Sequence, residues 1–269
     1  MIDPLLGSEK ILSDDVLETG VQYIYKKNKI YLDAWFSWEQ YIEKNDDERE
    51  EFSIGISANY KIINTQKSSL SIPLQFLYYH RGGQINKKYR LQNGGENLIL
   101  NFKNLTSGLV YKTNFSDYTL KIGYYYLLHT VNSLKEEFAF TNGNAHLINA
   151  TLSIKKLQFS VGYFNAHKFI SAKGNDIFQS YSVKVDNNYW NGVLDNRYAT
   201  HSEPKRSLLF TKFIYKTALT DKITLGFQAE GYYQLHDATI PGFSQLGNTK
   251  NNFDYSYAIY VVMNDLFGF

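Results

Sequence analysis

The sequence predicts an all-β chain folded as a transmembrane, antiparallel, up-and-down β-barrel, most simply of about twelve strands within a range of roughly ten to fourteen. Three observations predict it. Apolar and polar residues alternate at period two through most of the chain, in runs near the roughly 9–11 residues that a tilted strand needs to cross a bilayer. Aromatic residues make up 16% of the 269 residues, with Tyr at 23 and Phe at 18 against only 4 Pro, a load that favours strands over helices. The connections between runs alternate short and long, the pattern of barrels with tight turns on one side of the membrane and loops on the other.

The elements follow in order. Runs at 18–26 and 29–42 meet at Lys27-Asn28, and the charged "EKNDDER" at 43–49 forms a loop. Strand 50–62 carries Phe52, Ile54, Ile56, Ala58, Tyr60 and Ile62 on one face, with Ser53, Gly55, Ser57, Asn59 and Lys61 on the other. It turns at "NTQKS" into 68–80, after which a long connection at 81–103 holds "RGG" and "NGG". Strands 104–113 and 117–129 meet at "TNFS", a loop spans 130–144, and strands 145–155 and 157–165 meet at Lys155-Lys156. The longest connection, 166–204, reads as a single external loop, because two further strands around "IFQSYSVKV" would demand another turn. Strands 205–217 and 221–235 follow, then a loop at 236–251 and a last strand at 252–269. Residues 18–269 are thus read as the barrel, and residues 1–17 as either an incomplete strand or an external segment, since "SEKILSDDVLE" is a poor strand.

Composition excludes several classes. A net charge of +2 is too small to suggest nucleic acid, and with no Cys there are neither disulfides nor thiolate metal sites. Mean hydropathy is −0.37, and no run approaches the length of a membrane helix. The opening "MIDPLLGSEK" lacks the basic start and apolar core of a signal peptide, which implies a cytosolic chain or the mature or trimmed form of an exported one.

The chain ends "YVVMNDLFGF", with Tyr257, Ile259, Val261 and Met263 alternating before Phe267 and Phe269. This stretch resembles the C-terminal insertion signal of bacterial outer-membrane β-barrel proteins. The wider character, rich in Tyr, Asn and Lys with "WFSWEQYI" and "HRGG", is similar to barrels of Bacteroidota-type bacteria. The resemblance implies the outer membrane as location. It implies outer-membrane lipid as surroundings and the barrel-assembly machinery as a partner during insertion.

Candidate functional residues are few. On the inward face, Lys61, Lys112, Lys121 and Lys155 fall toward the short-turn end, and Glu39, Glu230 and Asp254 toward the long-loop end. Such charges can select permeants, but at about twelve strands paired inward charges that plug the barrel are favoured. His80, His129, His146, His167 and His236 lie at the long-loop ends of strands, with only His129 and His236 facing inward, and His201 lies in the longest loop. The expectation for these is an interfacial role rather than metal capture, and neither metal nor cofactor is expected. Trp35 and Trp38 are read as girdle residues, whereas Trp190 could stack on sugar. "EKNDDERE" lacks the Gly and oxygen spacing of a calcium loop. "NLT", "NFS" and "NAT" carry no meaning as glycosylation sites in a bacterium.

The expected function is a pore or a structural or accessory subunit, with large external loops offered to a protein partner in an envelope complex, and not an enzyme. Two alternatives stand beside it. One is an outer-membrane lipid-hydrolysing enzyme; phospholipases and lipid A deacylases have about this size, and they need Ser, His and an orienting polar group at the outer leaflet. The phospholipase pattern His-x-Ser-Asn-Gly does not occur, and "HRGG" and "THSEP" are the nearest juxtapositions. The other is a soluble β-sandwich that binds carbohydrate.

Overall fold

In the computed structural model, residues 19–42, 50–82, 99–133, 140–174, 176–183, 201–235 and 253–263 are described. Their strands are β1 (Thr19–Lys27), β2 (Ile30–Gln40), β3 (Glu51–Asn64), β4 (Ser68–Arg81), β5 (Leu100–Asn114), β6 (Tyr118–Ser133), β7 (Asn142–Ile154) and β8 (Leu157–His167), then β9 (Tyr181–Val183), β10 (His201–Glu203), β11 (Lys205–Ala218), β12 (Ile223–Gln234) and β13 (Phe253–Met263). One 11-stranded sheet runs β1 to β8 and then β11, β12 and β13. Every neighbour in it is antiparallel and adjacent in sequence, apart from the step that bypasses β9 and β10. The strand ladder expected from the alternation is therefore present. The ladder does not join β1 to β13 within the described residues, and a twelfth strand in residues 1–17 would lie outside them.

The longest connection differs from its expectation. It is not one loop, because β9 and β10 pair with each other as a separate two-stranded ribbon, preceded by a short 3-10 turn at Asp176–Phe178. Strands β5, β6 and β7 also extend further toward the long-loop end than the alternation indicated, beginning at Leu100, ending at Ser133 and beginning at Asn142.

The turns at the opposite end are tight. Lys27 pairs Ile30 and Ile154 pairs Leu157, so each turn holds two residues. Asn28 and Lys155 take positive φ, 32° and 49°, as mirror-image hairpin turns require. Lys155 consequently sits in the turn and not on the inward wall, which corrects its reading as a lumen charge; a two-residue turn removes it from the pleat.

The two faces of the sheet differ sharply. Outward positions carry Ile54, Tyr60, Leu74, Leu105, Leu109, Ile148, Phe159 and Val161, all exposed. On β13 the outward residues Tyr257, Ile259 and Val261 are exposed too, Ile259 at 72%. An exposed apolar face of this extent is what a lipid-facing barrel wall presents. Met263 closes β13, while Phe267 and Phe269 lie outside the described residues. Aromatic rings cluster at the ends of the wall: Trp38, Phe36 and Phe52 near the long-loop end, with Phe52 stacked on His80 at 4.8 Å, and Phe115 stacked on Tyr118 at 4.3 Å at the other. These are the girdles expected at the lipid–water boundaries. Ile259→Lys is expected to cost about 2–4 kcal/mol of folding stability if Ile259 sits near the bilayer midplane. Urea titration of the protein folded into liposomes measures it.

The inward face is polar at the short-turn end and apolar at the long-loop end. Ser57, Asn59, Lys61, Ser69, Lys112 and Thr151 line an interior cavity of about 900 Å³ that strands from β2 to β8 share, so the wall is concave. Above it, Leu127, Leu147, Phe164 and Leu208 pack against Phe169 and Phe178 of the connection after β8. A second cluster joins Leu100, Phe102 and Val131 to Phe140 and Ile170.

Candidate functional site: the plugged mouth

After β8, the described residues 168–174 and 176–180 fold back into the interior. Lys168 N–H donates to the Pro204 carbonyl at 2.5 Å, and Phe169 and Ser180 exchange backbone and hydroxyl bonds. Ser171 N–H donates to Gln179 Oε1 at 2.9 Å, which closes the fold-back. Burial of its apolar residues accounts for its entry into the barrel. Phe169, Ile170, Ile177 and Phe178 are apolar residues in a connection that would otherwise lie in water, and they find cover only inside.

Wall residues hold this plug by its backbone. Asn104 on β5 is fully buried; its Nδ2 donates to the Ile170 carbonyl at 2.8 Å, and its Oδ1 accepts from Ala172 N–H at 3.2 Å. His129 lies directly opposite on β6, is 2% exposed, and accepts the Ile170 N–H at Nδ1 at 3.3 Å. That role leaves the ring proton on Nε2. The backbone of Phe140 and Gly143 faces the ring, but no hydrogen bond closes on Nε2. Thr106 Oγ1 and Ser171 Oγ are also buried without a hydrogen-bond partner. Gly143 is required where it stands: a Cβ there would lie 2.1 Å from the Lys168 carbonyl oxygen, a backbone atom that cannot swing aside.

Replacing Asn104 by Leu keeps the volume and orphans two backbone groups of the plug, at about 1–3 kcal/mol each. The expected outcome is faster proteolysis within 168–180 while the barrel keeps its heat-modifiable gel mobility.

A polar cluster lies on the mouth side of the plug. Glu39 on β2 accepts from Ser53 Oγ at 2.7 Å and pairs with Lys173 of the plug. Both charged side chains are only 19% exposed. Glu51 accepts from Tyr79 OH at 2.7 Å and pairs with Arg81 at 3.0 Å. The Lys173 ammonium stands 6.0 Å from the centre of the Tyr79 ring, linking the two carboxylates into one patch. The patch contains two carboxylates able to take a proton, hydroxyls on Ser53 and Tyr79, and two cations able to hold an oxyanion.

The other expected site residues divide. Glu230 is paired within the wall, with Lys212 at 2.7 Å and Tyr232 OH at 2.6 Å. Asp254 is exposed on β13. Lys61, Lys112 and Lys121 line the cavity at the opposite end. His80 and His146 pack among Tyr78, Tyr124 and Tyr126 on the outward face, as interfacial residues would. His167 is exposed, His201 is described only in its backbone, and His236 and Trp190 lie outside the described residues. Trp35 departs from its girdle reading. It faces inward over Gly55, where any Cβ would lie 1.8 Å from the indole, so the glycine makes room for the ring. Asn104 and Lys173 carried no signal of their own in the alternation, because one is a polar residue at an ordinary inward position and the other lies in a connection.

A family model described as lipid A 3′-O-deacylase-type matches residues 1–269. The chain belongs to this family. That finding overturns the expectation of a non-enzymatic barrel, since the family is one of deacylases. It favours the lipid-hydrolysing alternative over the pore, and a porin-like reading has no support from it. The chain carries no contiguous string such as His-x-Ser-Asn-Gly that would announce this chemistry. Ester hydrolysis needs a base, an oxyanion holder and a positioned nucleophile, which several strands can supply separately. No curated protein matches the chain.

Proposed function

We propose that this chain is an outer-membrane esterase that releases a 3′-O-linked acyl chain from lipid A. The full-length family match carries the reading. The architecture supports it in two ways. The apolar outward wall holds the barrel in lipid, which puts the long-loop end at one membrane surface, where an acylated headgroup lies beside the mouth. The mouth is filled by 168–180 and bears the Glu39, Glu51, Lys173 and Arg81 patch, an arrangement suited to binding and chemistry more than to conduction.

In this reading the long connections face outward and the short turns face the periplasm. Glu39 takes the proton of the attacking group, Ser53 Oγ or a water held beside it. The attack forms a tetrahedral intermediate whose oxyanion the Lys173 ammonium stabilises. The sugar oxygen then leaves with the ester C–O bond, taking a proton as it goes. With water as nucleophile the fatty acid departs directly. With Ser53 an acyl-enzyme forms and a second water releases the acid.

The test is expression in a Gram-negative host that makes fully acylated lipid A, followed by mass spectrometry of the extracted lipid. Loss of one ester-linked acyl chain, with its fatty acid released, is the expected result. Unchanged lipid A, in cells whose outer membrane contains the folded heat-modifiable protein, overturns the proposal if purified protein also fails to release fatty acid.

A further inference from the structure

The cavity at the short-turn end is separate from the mouth and is not used by the proposed hydrolysis. Its lining has an unusual feature. Lys112 on β5 and Lys121 on β6 are directly paired across the ladder, and both line the cavity. Side chains directly opposite in an antiparallel pair have Cβ atoms about 4.5–5.5 Å apart, and like charges there are destabilising. Lys61 on β3 lines the same space. None of the three has a carboxylate partner among the described residues. Around them the wall supplies hydroxyls, from Ser69, Ser71, Thr119, Thr151 and Ser153. Val110 and Tyr125 belong both to the cavity wall and to the packed cluster above it, so the cavity ends where the plug begins.

From this we infer that the short-turn cavity binds a soluble phosphate-class anion. Two lysines at directly paired positions, with Lys61 lining the same space, match one multiply charged anion, and the surrounding hydroxyls can donate to its remaining oxygens. A lining rich in lysine, hydroxyl and amide groups suits an anion better than an acyl chain. The cavity lies inside the wall, so its ligand arrives as a solute from the short-turn side and not as a bilayer lipid. The inference stands independently of the deacylase reading.

The experiment uses the purified full chain, folded in a zwitterionic detergent, with inorganic pyrophosphate as the probe. Isothermal titration is expected to show saturable binding that survives an equal ionic strength of chloride. Lys112→Gln/Lys121→Gln is expected to weaken that binding at least tenfold while the heat-modifiable gel mobility is unchanged. A second measurement needs no variant: brief amine-directed labelling read by mass spectrometry. Pyrophosphate is expected to protect Lys112 and Lys121 but not Lys155 and Lys156 in the turn. Absence of saturable binding, loss of it in chloride, equal affinity in the double variant, or equal protection of all four lysines would each overturn the proposal. Protection by anionic phospholipid nanodiscs without pyrophosphate would assign the phosphate to lipid and overturn the solute reading.

Discussion

Phe164→Ala is expected to destabilise the protein by about 3–5 kcal/mol, the cost of emptying a fully packed aromatic site. Phe164 is fully buried on β8, and its ring meets Phe178 of the plug edge-on at 5.4 Å. Phe178 in turn meets Phe210 at 5.2 Å and Tyr232 at 6.0 Å, so one ring on the wall cements a chain of contacts reaching β11 and β12. The truncation leaves a cavity that the rigid ladder on either side cannot collapse to fill. The loss should fall mainly on the mouth. Urea denaturation should shift to lower concentration, and protease should cut 168–180 before the strands, while the unboiled protein still migrates as a folded barrel. An unshifted midpoint would mean that the plug is held by its backbone bonds to Asn104 and His129 alone.

Glu39→Gln is expected to slow fatty-acid release by about tenfold to a hundredfold, the equivalent of one charge-assisted hydrogen bond at roughly 1.5–3 kcal/mol. The substitution keeps shape and removes charge. It takes the counter-charge from Lys173 and weakens the acceptor facing Ser53 Oγ at 2.7 Å. Lys173→Met should produce a loss of similar size. The double variant should lose less than the sum, because the two side chains act as one unit. The fall belongs in kcat, with the folded gel mobility retained. Additive losses would separate the two residues and argue that Glu39 and Lys173 meet the substrate independently. Full activity in Glu39→Gln would move the chemistry elsewhere in the mouth.

The wall of this protein was legible because a strand's side chains alternate strictly between its two faces. Runs such as Phe52 to Ile62 announce a lipid face, and the turns at Asn28 and Lys155 announce where the chain reverses. Period and turn chemistry are local properties, readable from neighbouring residues alone. The same logic set the inward direction of Lys61, Lys112 and Lys121 and the outward direction of Ile259 and Val261. It also told His129, which faces inward, from His80 and His146, which face lipid.

Other features depended on residues distant in sequence. The apolar inward residues Leu100, Phe102, Leu127 and Val131 contradict a simple polar-inside rule, and their position makes sense only with Phe169, Ile170 and Phe178 folded against them. That contact also explains why β5 and β6 extend beyond the bounds 104–113 and 117–129 that the alternation predicts. The pairing of Glu39 with Lys173 joins residues 134 positions apart, and Asn104 meets Ile170 across 66. No window of sequence contains both members of either pair. The sequence by itself determined an antiparallel wall with one face for lipid. Only the tertiary structure decided that the interior is closed at the long-loop end, because closure comes from burying the apolar part of a long connection, and nothing local to that connection says which surface will cover it.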